Sequence, residues 1–378
     1  MNDAIALDRP MKIALVIPTM DRGGAEKQVV LLAKGLHQAG HQVCVVLLTR
    51  DGPRSEELRE AGIEVVLIGK KFKLDPTALS RLTKWMKQWK PDVVHTWLFA
   101  ANSFGRVAAK LCNVPVIIAS ERCVDPWKRN WHFLIDRRLA RLSDAITTNS
   151  EGVREFYHAH GIDGAQFEII PNGVEAASQT LSSIDRSTAF ERLEVANDRK
   201  LIVAVGRLWP QKRIRDLIWA GELLGTLRQD TTLVIIGDGP QREEMLRHRD
   251  SVSRPLHVRF AGARDDVQQL LPHADAFWIA SEYEGQSNAV VEAMQAEVPV
   301  VASNIPGNRD LVEDGETGFL FDLGDEAKIV EITNVILNDP QLASKVTSNA
   351  KSNIENNFSV DAMIQRHIRL YEKLLKPK

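Results

Sequence analysis

The stretch at residues 274–303 constrains the fold of this chain more than any other part of the sequence. Two short apolar runs, residues 276–280 and 298–302, have the composition of buried β-strands, and a helical pattern lies between them. This order predicts a βαβ unit. In open α/β sheets, ligands bind at the carboxyl ends of such strands, so the loop after the first strand is a candidate binding site.

That loop is small and polar, and it ends at Ser287, where the N-cap residue of the helix belongs. A helix start offers unpaired backbone N–H groups to an anion. Glu284 precedes this start and Glu292 follows it by just over one turn. Glu292 has apolar neighbours, so its charge needs a partner, and a sugar diol would donate two hydrogen bonds to it. The alternative is a structural carboxylate that is bonded to nearby backbone or to a cation.

Residues 284–294, with the sequence EGQSNAVVEAM, together with residues 299–302 and 315–321, resemble the donor-site signature of the retaining glycosyltransferases of family four. The resemblance implies an α/β fold of GT-B type, in which two Rossmann-like parallel-sheet domains face each other across a cleft and a C-terminal helix crosses back to the first domain. It also implies that Glu284 faces the donor sugar and that Glu292 holds the ribose hydroxyls. The backbone expected to meet the diphosphate is that of Gly285, Gln286, Ser287, Asn288, Ala289 and Val290.

Three further loops are similar to donor-binding segments of the family. Gly23 and Gly24 open the first long helix and would face the diphosphate, although a sharp strand-to-helix turn would also explain them. The resemblance implies that a second loop, which begins at Gly206 and carries Arg207 and Lys212, binds the diphosphate. It implies that a third loop contacts the nucleobase through Ala263 and Arg264.

The two cations matter because negative charge grows on the diphosphate as it leaves, and fixed positive charges stabilise it. Arg207 and Lys212 are therefore predicted to be catalytic, with Glu284. A solvated loop with incidental charges is the alternative.

The first half of the chain departs from the family pattern. His95 is followed by Trp97 where many members have a second histidine, and Ser120-Glu121-Arg122 stands where many members present a histidine to the sugar. His95, Trp97 and Arg122 are therefore expected at the acceptor, with Glu121 as a further catalytic residue that orients it. A retaining front-face mechanism does not require a histidine, because the leaving phosphate itself can take the acceptor proton. His95 as a structural strand-end histidine is the alternative.

Apolar runs of strand type, among them residues 93–97 and 116–119, alternate with helical patterns along the whole chain, which predicts parallel, doubly wound sheets. The first long helix is expected to end at about Ala39, with Gly40 as its C′ residue, and the last amphipathic stretch covers residues 360–375. We expect an acceptor domain at residues 1–174, a donor domain at 175–358 whose sheet begins at residue 201, and a final helix at 359–378. Residues 175–200 are expected to form a linker and an entry helix.

Metal and cofactor requirements are predicted to be absent. No two aspartates are separated by a single residue, which argues against a divalent metal held by an Asp-x-Asp motif, and no histidine or cysteine cluster replaces it. The three cysteines, Cys44, Cys112 and Cys123, lack metal-binding spacing and are expected to be reduced. The nucleotide-sugar would be a substrate, not a cofactor.

The net charge of −2 conceals an asymmetry, because residues 1–172 carry 24 Lys and Arg against 19 Asp and Glu, and the remainder carries 24 against 31. This basic excess is too small for a dedicated nucleic-acid binder, but it suits contact with phosphates or anionic headgroups. Lys128 and Arg129 lie between Trp127 and Trp131, a combination typical of membrane interfaces. We therefore hypothesise that the first domain docks peripherally on the inner leaflet of the membrane. Residues 81–90 also mix cations with large aromatic residues, but their helical spacing favours packing in the core.

No window is long and apolar enough to cross a membrane, and the first ten residues lack a signal-peptide pattern, so a cytoplasmic location is expected. The sequence thus predicts a retaining glycosyltransferase that moves a sugar from a nucleotide-sugar, UDP-linked by default, to a saccharide or lipid-linked saccharide in bacterial surface polysaccharide synthesis. The alternatives are a nucleotide-sugar epimerase, a phosphorylase, or a non-enzymatic sugar-nucleotide-binding protein.

Overall fold

The computed structural model describes residues 9–125, 127–175 and 184–376. Four parts of the chain lie outside the described residues: the chain start, Pro126, part of the expected linker at 175–200, and the last two residues. The chain divides into two compact units, one made of Met1–Gly173 with Phe358–Lys378 and one made of Val174–Asn357. Each unit contains one parallel sheet.

The first sheet has seven strands and the second has six. Their bounds are β1 (Lys12–Ile17), β2 (Gln42–Leu47), β3 (Glu64–Leu67), β4 (Val93–Trp97), β5 (Val116–Glu121), β6 (Ala145–Thr148) and β7 (Gln166–Ile169) in the first sheet, and β8 (Lys200–Val205), β9 (Thr231–Ile236), β10 (Val258–Gly262), β11 (Ala276–Ile279), β12 (Val300–Ser303) and β13 (Phe319–Phe321) in the second.

The helices cover both faces of the sheets. Their bounds are α1 (Gly24–Gln38), α2 (Arg54–Glu60), α3 (Pro76–Trp89), α4 (Leu98–Leu111), α5 (Asn130–Ala140), α6 (Glu151–Ala159), α7 (Arg186–Arg192), α8 (Ile214–Arg228), α9 (Arg242–Val252), α10 (Val267–Leu270), α11 (Asn288–Gln295), α12 (Pro306–Arg309), α13 (Glu326–Asn338), α14 (Pro340–Asn357) and α15 (Val360–Leu375).

The strand order places a topological switch point in each sheet. The first sheet has the order β3-β2-β1-β4-β5-β6-β7, and the second has β10-β9-β8-β11-β12-β13. In each sheet the chain first moves outward in one direction and then returns to the other side of the starting strand. Because all strands are parallel, their carboxyl ends share one edge, and the loops at the switch point diverge to leave a crevice for a ligand.

Burial on both faces explains the continuous apolar runs of the strands. In β1, Ile13 and Leu15 contact the core under α1 and α15, whereas Ala14 and Val16 contact the core under α3 and α4. A parallel sheet that is covered by helices on both faces has this pattern. Helix α3 contributes Leu82 and Met86 to the second of these cores, so the prediction of core packing for residues 81–90 is confirmed.

The C-terminal helix belongs to the first unit, as expected. Helix α15 packs against α1, where Gly35 leaves room for Ile364: a Cβ atom at Gly35 would lie 2.0 Å from Ile364 Cδ1. Tyr371 in the same helix is hydrogen-bonded to His95 Nδ1 of β4 at 2.7 Å. His95 and Tyr371 are fully buried, so this bond joins the chain terminus to the centre of the first sheet.

The pKa values of two buried histidines in this contact make the first unit sensitive to acid. Burial lowers the pKa of His367 to about 3 and lowers the pKa of His95 well below its ordinary value. Because both pKa values lie below those of the unfolded chain, the unfolded state binds protons first, and the stabilising contribution is complete above pH 6.5 and is lost as the pH falls.

We expect the free energy that protects α15 from opening to fall by about 2 kcal/mol through His367 between pH 7 and pH 5, and His95 to act in the same direction. Hydrogen exchange of the α15 amides measures this free energy. In His367→Leu the pH dependence should be smaller than in the wild type by about 2 kcal/mol over this range, whereas His37→Gln, at an exposed histidine in α1, should leave it unchanged. Equal pH dependence in the wild type and His367→Leu would contradict the assignment.

Candidate functional site

The loops that follow β8 and β11 meet at the switch point of the second sheet. The loop after β8 contains Gly206 and continues through a 3₁₀ turn at Pro210–Lys212 into α8. The loop after β11 leads to α11. A backbone hydrogen bond from Glu282 N to Gln211 O, 2.8 Å long, joins the two loops. The local sequences therefore form one surface at the carboxyl edge of the sheet.

Lys212 and Glu284 form an ion pair in this surface, although 72 residues separate them in the chain. Their side chains are only 16% and 12% exposed, so the pair is shielded from most of the solvent. The Ser281 hydroxyl donates a further hydrogen bond to Glu284 Oε1 at 2.7 Å. Two of the predicted catalytic residues are thus brought into direct contact, each with its position fixed by the other.

Gly206 and two other glycines allow the loops to approach each other. A Cβ atom at Gly206 would lie 3.4 Å from Lys212 Cε, so the lysine stem passes directly over this glycine. A Cβ atom at Gly237 would lie 1.9 Å from Gly206 O, and one at Gly307 would lie 2.2 Å from Gly285 O. We did not predict Gly237 and Gly307 as site residues; the only sequence signal was their position directly after β9 and shortly after β12.

Arg207 is exposed and lies on the same loop after β8 as Lys212. Its guanidinium carbon lies 5.5 Å from the centroid of the Trp209 ring, and the two side chains form a cation–π contact. Within the described ranges Arg207 has no ion pair with a carboxylate. Its charge is therefore available to an anion at this edge.

The start of α11 has the predicted position but not the predicted side-chain cap. Ser287 is the N-cap residue, and its carbonyl oxygen accepts from Val291 N at 3.2 Å, but its side chain makes no capping hydrogen bond. Gln286 and Ser287 are buried, and Glu292 is half-buried next to Val291 in the core. The remaining predicted residues of this segment are the buried Gly285 and Val290 and the half-buried Asn288 and Ala289.

The loop after β10 contains the predicted nucleobase contacts. Ala263 is exposed, whereas Arg264 makes a bidentate ion pair with Asp266 through bonds of 2.7 and 2.8 Å and also donates to Arg192 O at 3.2 Å. The hydrogen bond with Asp266 raises the pKa of Arg264. The guanidinium of Arg264 is engaged within its own unit, so contact with a base through it stays a prediction that requires this pair to open.

In the first unit, Gly23 and Gly24 lie at the start of α1, at the carboxyl end of β1. The Glu26 carboxylate folds back over this turn, because a Cβ atom at Gly23 would lie 2.1 Å from Glu26 Oε2. Burial raises the pKa of Glu26, and the charge of Asp21 acts in the same direction. The Glu26 side chain is flexible and could move aside, so this contact alone does not require glycine, and a role of Gly23 and Gly24 in binding diphosphate stays a prediction.

The four residues that we expected at the acceptor are all buried within the first unit. His95 is hydrogen-bonded to Ser120 Oγ and Thr147 Oγ1, at 3.1 and 3.2 Å, in addition to Tyr371. The Trp97 side chain is fully buried beside it. The structure thus gives His95 and Trp97 an internal position, and the alternative of a structural strand-end histidine describes His95 better than acceptor binding does.

Arg122 and Glu121 are also held by internal contacts. The Arg122 guanidinium donates to Asn172 Oδ1 and lies 4.9 Å from the Trp97 ring centroid, and burial lowers the pKa of Arg122 to about 9. Strand β5 extends through Glu121, two residues beyond the predicted end, so Glu121 faces the interior and accepts from Asn102 Nδ2 at 2.9 Å. The hypothesis that Glu121 and Arg122 orient an acceptor is therefore not supported by their exposure.

Lys128 is fully buried, so the prediction that its side chain faces a membrane is wrong. Its ammonium group donates to Asp136 Oδ2 at 3.0 Å and to Tyr157 Oη at 2.7 Å, and Glu121 Oε2 lies 3.6 Å away. Burial alone would lower the pKa of Lys128, but the surrounding carboxylates raise it. Asp136 also pairs with Arg106 at 3.2 Å. This buried charge network fixes α5 to the sheet, while Trp127, Arg129 and Trp131 remain exposed.

Comparison with known families agrees with this geometry. Residues 22–178 match the family profile described as Glycosyltransferase Family 4, and residues 185–353 match the profile described as Glycosyl transferases group 1. The chain belongs to glycosyltransferase family four. This glycosyltransferase therefore contains matched segments in both of its compact units.

Individual relatives of this glycosyltransferase are distant in sequence. The UDP-Gal:alpha-D-GlcNAc-diphosphoundecaprenol alpha-1,3-galactosyltransferase of Escherichia coli is 27% identical over 312 residues, which are 79% of each chain. The lipopolysaccharide core biosynthesis glycosyltransferase LpsE of Rhizobium meliloti is 24% identical over 92% of this chain and 95% of its own. The crystal structure of Anabaena Alr3699/HepE in complex with UDP covers 96% of this chain and 100% of its own, with 22% identity and a TM-score of 0.85. The predicted GT-B fold is confirmed.

Two further properties of the described residues bear on the expectations above. No group of three or more His, Cys, Asp or Glu side chains is placed to hold a metal ion within the described part of the chain. Among the helices formed by residues 9–125, 127–175 and 184–376, none has both the length and the apolar character to span a bilayer.

Proposed function

We propose that this glycosyltransferase transfers a sugar from a UDP-sugar to a saccharide or lipid-linked saccharide acceptor, with retention of the anomeric configuration, in the synthesis of a bacterial surface polysaccharide. The observation that carries the proposal is the Lys212–Glu284 pair at the switch point of the second sheet. The relative named for a UDP-Gal donor and a diphosphoundecaprenol acceptor, and the fold shared with a UDP-bound structure, support the choice of substrates.

In the proposed reaction, the bond between the anomeric carbon and the leaving phosphate oxygen breaks. The acceptor oxygen forms its bond on the same face of the sugar, and its proton passes to the leaving phosphate. Negative charge grows on the diphosphate during this step, and preorganised cations stabilise it in a shielded site. Lys212 and Arg207 are assigned this role in place of a metal ion, because both cations lie on the loop after β8.

The ion pair suggests how donor binding prepares the site. Lys212 and Glu284 neutralise each other before the donor arrives. When Lys212 turns its hydrogen bond to a phosphate oxygen, Glu284 keeps the bond from Ser281 and becomes free to accept from hydroxyl groups of the donor sugar. The exchange replaces one charge-assisted contact by another, so the partly buried carboxylate never lies without a partner.

Glu292 is assigned to the ribose hydroxyls. It is half-buried in the first turns of α11, close in sequence to the loop that carries Glu284. A cytoplasmic location with peripheral contact to the inner leaflet completes the proposal, since a lipid-linked acceptor is presented at a membrane surface.

Titration calorimetry with UDP, GDP and ADP tests the donor assignment. Glu292→Gln should weaken nucleotide binding at least about tenfold, because a lost charged hydrogen bond costs roughly 1.5 to 3 kcal/mol. Glu284→Ala should bind free nucleotide normally but transfer sugar slowly. Glu282→Gln, at an exposed carboxylate of the same loop, is the control. Unchanged affinity for UDP in Glu292→Gln, or no binding of any of the three nucleotides by the wild type, would overturn the proposal.

A further inference from the structure

The connection between β3 and α3 exposes apolar side chains between cations. Its residues 70–74 have the sequence KKFKL. Leu74 is 89% exposed and Phe72 is 69% exposed; Phe72 lies between the exposed Lys71 and Lys73, and Leu74 follows Lys73. Single apolar residues are common on protein surfaces, but two large ones that project from a five-residue loop with three lysines are not explained by packing.

This loop has a fixed shape. The Asp75 carboxylate accepts from Lys71 N at 2.9 Å and from Ala78 N at 3.0 Å, so it closes the loop and caps α3 at the same time. These hydrogen bonds, with that from Lys71 first, lower the pKa of Asp75. Arg81 donates to Ile68 O at 2.8 Å and to Gly69 O at 2.9 Å, which fixes the other end. These hydrogen bonds therefore fix the backbone of the loop that presents Phe72 and Leu74 to solvent.

A second exposed group lies next to this loop. Trp127 and Trp131 are 57% and 51% exposed and pack edge-on against Phe99 at the start of α4, with ring centroids 6.1 and 6.5 Å apart. Trp131 also stacks on His132. Lys70 Nζ of the loop lies 5.1 Å from the centroid of the Phe104 ring in α4, the helix that also carries Phe99, so the loop and the tryptophans contact the same helix.

All of these residues lie at the carboxyl edge of the first sheet, where β3 and β5 end and α4 and α5 begin. We propose that they form a docking surface for an anionic lipid bilayer. The surface consists of Lys71, Phe72, Lys73, Leu74, Trp127, Arg129 and Trp131. This inference deepens the proposed function, on which it rests for the lipid-linked acceptor, and it replaces Lys128 with residues that are accessible.

The chemistry of the surface fits a bilayer better than it fits a nucleic acid or an acidic protein. Lysine and arginine are attracted to anionic headgroups, and tryptophan favours the interfacial layer. Leu74 and Phe72 supply apolar area that enters the boundary between headgroups and acyl chains, for which a polyanion offers no counterpart. Binding through this edge would place the carboxyl ends of the first sheet against the membrane.

Vesicle co-sedimentation of the full chain tests the inference. Vesicles of phosphatidylethanolamine with 30% phosphatidylglycerol should bind the wild type at low salt, and vesicles of phosphatidylcholine alone should not. Lys73→Glu/Leu74→Ser should lower the partition coefficient at least about tenfold, since it reverses one charge and removes the most exposed apolar side chain. The matched control is Arg254→Glu/Leu256→Ser, at exposed residues of the second unit, and it should bind vesicles like the wild type.

Thermal unfolding and calorimetry with UDP on the same samples separate this inference from the proposed function. The Lys73→Glu/Leu74→Ser variant should unfold at the wild-type temperature and bind UDP normally. A wild type that binds UDP but stays in the supernatant with anionic vesicles would overturn the docking surface and leave the donor assignment intact. Equal vesicle binding by the two double variants would also overturn it. A wild type that binds heparin but not vesicles, with heparin binding lost in Lys73→Glu/Leu74→Ser, would show that the surface binds a polyanion instead of a bilayer.

Discussion

Replacing Arg207 or Lys212 by alanine is expected to lower turnover of the donor at least about a hundredfold, which is the scale for loss of one preorganised stabiliser of transition-state charge. Lys212→Ala also leaves the Glu284 carboxylate without its cation, although the Glu284 side chain is only 12% exposed to solvent. Arg207→Ala removes an exposed charge that packs on the Trp209 ring. Both variants should therefore lose catalysis, but Lys212→Ala should in addition weaken donor binding.

Arg215→Ala is the matched control, because Arg215 is an exposed cation of the next helix that pairs with Glu244 at 2.7 Å. It should retain wild-type turnover. The same assay in excess EDTA tests whether the two cations act without a metal: turnover of the wild type should persist. Complete inactivation by EDTA, with recovery on addition of magnesium or manganese, would contradict the assignment, and so would wild-type turnover in Arg207→Ala.

Lys128→Met is expected to lower the free energy of unfolding by about 3 to 5 kcal/mol, the usual cost of removing one partner from a buried ion pair. Lys128 lies among Glu121, Asp125 and Asp136, and its loss leaves these carboxylates in mutual repulsion, which the Arg106–Asp136 pair offsets in part. The pKa of Asp136 is already raised to about 6 by burial and by the charge of Glu121, so this carboxyl group should become protonated near neutral pH in the variant.

Urea unfolding measures the change, and Arg138→Met, at an exposed cation of the same helix, is the control. The control should lie within about 0.5 kcal/mol of the wild type. A loss of less than about 1 kcal/mol in Lys128→Met would show that the network does not stabilise the fold. The same energetics explain why a charge reversal at Lys128 is unsuitable for testing membrane contact: it would unfold the first unit instead of changing its surface.

The regular elements could be predicted from the sequence because local patterns specify them. Strand β4 and helix α15 have the predicted bounds, and α1 ends before Gly40 as expected, with a φ of +87° at that glycine. Strand β5 was predicted two residues too short, since Ser120 and Glu121 are polar although both are buried. Their burial depends on partners in α4 and β6, which a local pattern does not contain.

The contact between Lys212 and Glu284 could not be predicted from the sequence. The family pattern identified Lys212 and Glu284 separately, and only the fold places them side by side. The opposite error occurred at Lys128, where a cation between Trp127 and Trp131 looks like a surface residue until Asp136 and Tyr157 are brought next to it. Exposure and burial of charged residues are decided by such long-range neighbours.

The most direct test of the central claim is to follow the cleavage of UDP-linked sugars by the wild-type chain with proton NMR. The proposed function predicts that one α-linked UDP-sugar releases UDP in excess EDTA, that the first sugar product has the α configuration, and that Lys212→Ala slows the release at least about a hundredfold. A product that first appears in the β configuration, or cleavage at the wild-type rate in Lys212→Ala, would contradict a retaining transfer at the Lys212–Glu284 site.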